Sequence, residues 1–115
     1  RELSIFKGDK HSIGSKFFAK QAFTDHEIPC AAGDIIYLYS DGFADQFGGE
    51  KGKKYLSKRF QDFIMDHQDL RLEDQQYLFQ YEFHFWKGEL EQIDDVLIGA
   101  FRIPNTAINK QLKVA

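Results

Sequence analysis

The chain has 115 residues, 43% hydrophobic and 29% charged, with a formal net charge of -3. That length is one domain or part of one, able to bury roughly two-thirds of its unfolded surface. Lys, Arg, Asp and Glu are evenly mixed, so there is no basic stripe to neutralise nucleic-acid phosphates, and nucleic acid is excluded as the expected partner.

Twelve Phe, five Tyr and one Trp make the chain rich in aromatic residues and imply a packed core rather than disorder. The single cysteine, Cys30, excludes an internal disulfide and a multi-thiolate zinc site, so nothing points to an oxidising compartment. No apolar run reaches membrane-spanning length and no signal peptide is visible, so a cytoplasmic setting is expected. The chain begins at Arg1 without a Met and reads as a piece of a longer protein.

Residues 1–7 alternate, with Leu3 and Ile5 on one side, and predict a short strand. Gly8-Asp9-Lys10 reads as a tight turn and Ile13-Gly14 as an irregular segment. Residues 21–31 carry Phe23 and Ile28 among polar neighbours and Pro29 near the end, which predicts a half-exposed edge strand. Ala32-Gly33-Asp34 turns it into the next strand, so the two are expected to pair as an antiparallel hairpin.

That next strand is the centre of the pattern. Ile35-Ile36-Tyr37-Leu38-Tyr39 is continuously apolar and aromatic, as in a strand buried on both faces. Asp41 then presents a carboxylate at the strand's tip, and Gly42 is free to adopt a backbone conformation closed to other residues. Asp-Gly after a strand is also among the commonest turn signals, and by itself marks a turn more often than a ligand.

Phe43 to Gly52 holds three glycines and several charges and predicts a mobile surface loop. Lys51, Lys53, Lys54, Lys58 and Arg59 cluster at spacings suited to the solvated face at a helix start. From Lys53 the period becomes helical, with Leu56, Phe60, Phe63, Ile64 and His67 on one apolar face that reads as core.

A second helix is predicted over residues 72–87, with Glu73 and Asp74 favourable at its positive end and Gly88 placed to stop it. Its stretch from Tyr77 to Trp86 is apolar around much of the circumference, consistent with a buried helix or a partner surface. Ile93-Asp94-Asp95 leads into a last strand over residues 96–103, ended by Pro104. Residues 104–115 predict a loosely held tail beyond the domain portion at 1–103.

The order strand, strand, strand, helix, helix, strand (βββααβ) is an α+β pattern, an antiparallel or mixed sheet with two helices on one face. Acids stand at two strand ends: Asp41 after the central strand, and Asp94 and Asp95 before the last. If those strands lie side by side and antiparallel, the carboxylates converge and suit a hard divalent ion such as Mg²⁺ or Mn²⁺. His11, His26, His67 and His84 show no paired metal spacing, so zinc is not expected. No P-loop and no Gly-x-Ser-x-Gly elbow is present.

Tyr39-Ser40-Asp41-Gly42-Phe43-Ala44-Asp45, followed about fifty residues later by Asp94-Asp95-Val96-Leu97, resembles the C-terminal half of a metal-dependent serine/threonine phosphatase of the type 2C superfamily. The bacterial stage II sporulation protein E-like branch, which acts on sigma-factor regulators, is the nearest in pattern. Gln46-Phe47-Gly48-Gly49 with Gly52-Lys53-Lys54, and Trp86-Lys87-Gly88-Glu89-Leu90-Glu91-Gln92, are similar to a version found as the output domain of bacterial sensor proteins.

The resemblance implies a β-sandwich flanked by helices, of which this chain supplies part. It implies that Asp41 and Asp94 are metal ligands, with Asp95, Gly42 and Asp45 in supporting roles and no separate catalytic side chain. Two Mn²⁺ or Mg²⁺ ions would activate a water for attack on phosphoserine or phosphothreonine. The substrate would be a phosphorylated protein such as an anti-sigma-factor antagonist, and a sensor domain would lie upstream in the parent chain. The family's N-terminal acidic motif has no match before Asp41, so an incomplete metal site, little activity and homo-oligomerisation through uncovered surface are expected of the piece. The competing reading is a noncatalytic interaction module or a degenerate phosphatase, with the aspartates as turn residues.

Overall fold

The structure is a computed structural model describing residues 2–8, 23–105 and 111–114, the last four as backbone only. The chain divides into two compact units, residues 35–102 and residues 1–34 with 103–115.

In the larger unit, the β-branched and aromatic run Ile35–Tyr39 forms strand β2, and Ile98–Arg102 forms β5. They pair antiparallel with Ile35 opposite Arg102 and Tyr39 opposite Ile98, as the acidic-convergence argument requires. Because side chains alternate, Tyr37 and Tyr39 share the face that meets the helices. Tyr37 lies edge-on to Phe79 at 6.5 Å and Tyr39 lies 4.7 Å from Phe60. The opposite face is open: Leu38 is 53% exposed, and Phe101 is exposed beside it. The expectation of a strand buried on both faces is therefore corrected, because among the described residues β2 and β5 form a two-stranded sheet with Leu38 and Phe101 left exposed.

Helix α1, Ser57–His67, buries Phe60 and Ile64, while helix α2, Leu72–Lys87, buries Gln75, Phe79 and Phe83. Leu56, assigned to the buried face of α1, is 60% exposed, since it lies just before the helix at φ 82°. Lys53 and Lys54 belong not to the helix but to a short ribbon in which Phe47–Gly48 (β3) pairs with Lys53–Lys54 (β4). Helix α2 has the expected bounds. Gly88 at φ 53° donates its N–H to the His84 carbonyl at 3.0 Å and closes the last turn.

The first part of the segment read as a mobile loop instead enters the core, while Phe47 and residues 49–52 stay exposed. Phe43 is fully buried, with ring centroids 5.0 Å from Tyr55, 5.0 Å from Phe60 and 5.1 Å from Phe83. Burying such a side chain is worth about 1.5–3 kcal/mol. Gln75, also buried, accepts the Tyr37 hydroxyl at 2.6 Å and donates to the Leu70 carbonyl at 2.8 Å, tying the helix connection to β2.

In the other unit, strand β1, His26–Pro29, pairs antiparallel with β6, Gln111–Val114. The expected hairpin between residues 21–31 and β2 is absent among the described residues. The turn at Ala32-Gly33 does form, with Gly33 at φ 91° and the Ala31 N–H bonded to the Asp34 carboxylate at 2.9 Å. However, the Gly33 N–H and the Asp34 carbonyl are both taken by Ile103, so they cannot start a hairpin ladder. A strand in the segment read as a tail, 104–115, is a second departure. Residues 2–8 form no strand, and Leu3 and Ile5 stay exposed. The readings at Asp9, Lys10, His11, Ile13-Gly14 and Gln21 lie outside the described residues.

Candidate functional site

The tip of β2 and the segment leading into β5 are joined by Ser40. Its N–H donates to the Leu97 carbonyl at 2.9 Å, its hydroxyl donates to the Asp95 carbonyl at 3.1 Å, and the Leu97 N–H donates to the Ser40 oxygen at 3.1 Å. One short side chain thus holds the two acidic segments side by side. Ser40 stands within the motif, and the sequence signal for its role is a small hydroxyl residue at a strand end, a local backbone binder.

Gly42 completes the junction by size. A Cβ there would overlap the Asp95 carbonyl and would stand 3.2 Å from the Val96 side chain. Its φ is not positive, so the expectation of a special backbone conformation is corrected: close approach, rather than φ, is what demands glycine. Phe43, the next residue, anchors the turn in the core.

Asp41, Asp94 and Asp95 are all solvent-exposed on these adjoining segments. The Asp41 carbonyl accepts the Asp45 N–H at 2.9 Å, so its backbone is fixed while its carboxylate faces water. The Asp94 carboxylate accepts the Asp95 N–H at 2.8 Å, and the Asp94 carbonyl accepts from Gln92 at 2.9 Å. The Asp45 carboxylate lies 3.7 Å from the Lys54 ammonium, an exposed pair worth little in stability.

As donors, exposed carboxylate oxygens fit a hard divalent cation that keeps several waters. Among the described residues, no group of three or more His, Cys, Asp or Glu side chains is arranged to hold a metal ion. A cavity of about 580 Å³ lies elsewhere, between α2 and β5, lined by Gln76, Phe79, Phe83, His84 and Ala100 among others and by none of these aspartates. The described histidines have other contacts: His26 meets Phe6, and the His67 ring lies 4.3 Å from Phe63.

The two other segments that carried the resemblance interlock. The Trp86 indole N–H donates to the Gln46 carbonyl at 2.8 Å, and the Gly49 N–H donates to the Trp86 carbonyl at 3.0 Å. Arg59 covers Trp86 and Tyr55 at 4.4 and 4.7 Å from their ring centroids. The lysine and arginine cluster is thus spread over separate surface contacts, Lys58 with Asp62 among them.

The architecture is α+β, two helices with small antiparallel sheets, consistent with a fragment of a PP2C-like domain. The solved structure of the SiaA-PP2C domain of Pseudomonas aeruginosa is similar to it, with 40% sequence identity and a TM-score of 0.58, over 60% of this chain and 28% of that chain. The present chain therefore spans little more than a quarter of that structure. No protein-family model matches the chain, and no curated protein matches it. No helix among the described residues is long and apolar enough to cross a membrane.

Proposed function

We propose that this chain is part of a metal-dependent protein serine/threonine phosphatase, of the stage II sporulation protein E-like type, serving as the output domain of a bacterial signalling protein. The observation that carries the reading is the junction made by Ser40, which sets the Asp41-Gly42 turn against Asp94-Asp95. The likeness to the SiaA-PP2C domain supports the same class.

In this reading Asp41 and Asp94 hold Mn²⁺ or Mg²⁺, which when bound supplies Lewis-acid activation of a water for phosphoester hydrolysis. The chain's own contribution is positional. Phe43 anchors the turn, Ser40 clamps the two segments, and Gly42 lets them touch, so that two carboxylates project from backbone that is already ordered. Asp95 contributes its carbonyl to the clamp, and Asp45 balances Lys54. The remaining ligands come from further sequence of a longer parent, so the 115-residue chain by itself turns over little or no phosphoprotein.

Calorimetric titration with Mn²⁺ tests the assignment. Asp41→Asn and Asp94→Asn are each expected to weaken binding roughly tenfold or more, the effect of losing a charged ligand. Unchanged affinity in both would favour the competing reading, a noncatalytic module, for which the lack of a three-residue cluster among the described residues is the supporting observation. Turnover of a phosphoserine peptide by the chain alone, abolished in Asp41→Ala, would overturn the inactivity of the piece.

A further inference from the structure

Helix α2 is amphipathic in an unusual sense, because both of its faces are aromatic. Phe79 and Phe83 enter the core, while Tyr77, Tyr81 and Phe85 on the outer face are 70%, 61% and 73% exposed. At spacings of four residues these three form one stripe about 12 Å long. The Tyr81 and Phe85 rings are already stacked, with centroids 6.1 Å apart and planes within 11°. Together they leave several hundred Å² of aromatic surface facing water, on the order of the largest patches that monomers tolerate.

The stripe is symmetric about its midpoint. A two-fold axis through Tyr81 would set Tyr77 of one copy opposite Phe85 of the other, so each level places aromatic on aromatic. The charges agree with that direction. Glu73 and Asp74, the latter paired with Arg71, occupy the first turn of α2 and Lys87 the last, so antiparallel copies bring the acidic turn of one toward Lys87 of the other at both ends. The helix dipoles are also opposed in that arrangement. A parallel pairing would instead align like charges.

We infer that the outer face of α2 is a self-association surface, on which two copies of this chain pack their α2 helices antiparallel about a two-fold axis at Tyr81. This is independent of the phosphatase reading, and it uses a face distinct from the open side of the β2/β5 sheet.

The test is oxidative cross-linking of the full chain in a Cys30→Ser background. Tyr81→Cys is expected to give a disulfide-linked dimer by itself. Tyr77→Cys and Phe85→Cys should not cross-link singly, since about 12 Å separates each from its own copy, but should do so when mixed. Cross-linking of all three singly would mean a parallel pair, and none at all would mean no such contact; either overturns the inference. In sedimentation velocity, Tyr81→Glu should weaken self-association roughly tenfold or more. Asp74→Lys should weaken it too, and Asp74→Lys with Lys87→Asp should restore it. If instead Leu38→Asp on the open sheet face dissociates the dimer while Tyr81→Glu leaves it intact, the surface has been misassigned.

Discussion

The Asp95 carbonyl lies against Gly42 so closely that a single added methyl group would overlap it. The atoms in the way are backbone, so relief requires the two acidic segments to move apart. Gly42→Ala is expected to destabilise the chain by about 1–3 kcal/mol, the range for an added methyl in a packed site. Under the proposed metal assignment it should also weaken Mn²⁺ binding although no carboxylate has changed. A lowered urea midpoint checks the first outcome and calorimetry the second.

Trp86 plays the same part for the β3/β4 ribbon. A Cβ on Gly48 would overlap the Trp86 carbonyl, and one on Gly49 would stand 2.6 Å from the indole ring. Trp86→Phe removes the N–H that reaches the Gln46 carbonyl and part of the platform under Arg59. A loss of about 2–3 kcal/mol is expected, combining a hydrogen bond with a smaller packed ring. Denaturant unfolding followed by circular dichroism measures it.

Leu56 has φ 82° and ψ 146°, a region in which side-chain-bearing residues are strained by about 1–3 kcal/mol. Its side chain is largely in solvent, so little burial is forfeited by removing it. Leu56→Gly is therefore expected to stabilise the chain by about 1 kcal/mol after the entropy of the added glycine is subtracted. A raised urea midpoint at unchanged slope is the outcome to look for.

The Tyr55 hydroxyl donates to the Glu82 carboxylate at 2.7 Å. Burial, and then Glu82, push its pKa well above the ordinary value of 10.0, and burial raises Tyr37 in the same direction. With the folded pKa raised, the contribution to stability is complete below about pH 10 and is lost as pH climbs beyond it, because the unfolded phenol ionises first. Unfolding free energy should be flat in this respect from neutral pH to the onset of that window and then fall. In Tyr55→Phe the alkaline fall should be shallower, with Tyr37 providing the rest, and stability at neutral pH should drop by about 1 kcal/mol.

Local pattern was sufficient where a segment's structure depends on its own residues. Strand β2 and helix α2 have the bounds that β-branched runs, helical periodicity and a stopping glycine imply, and the α+β class follows from their order. The side-by-side placement of the Asp41 and Asp94 segments was also legible, because an antiparallel pair necessarily brings the end of one strand to the start of the other. Long-range contacts decided the rest. Composition marks Phe43 to Gly52 as a loop, yet no local signal tells that Phe43 fits among Tyr55, Phe60 and Phe83, or that Trp86 waits for Gly48. Residues 26–29 lack a hairpin with β2 because Ile103, some seventy positions away, takes the backbone groups such a hairpin needs. The tertiary structure alone decides such cases, since a buried ring or a free N–H goes to whichever partner the folded chain delivers to it.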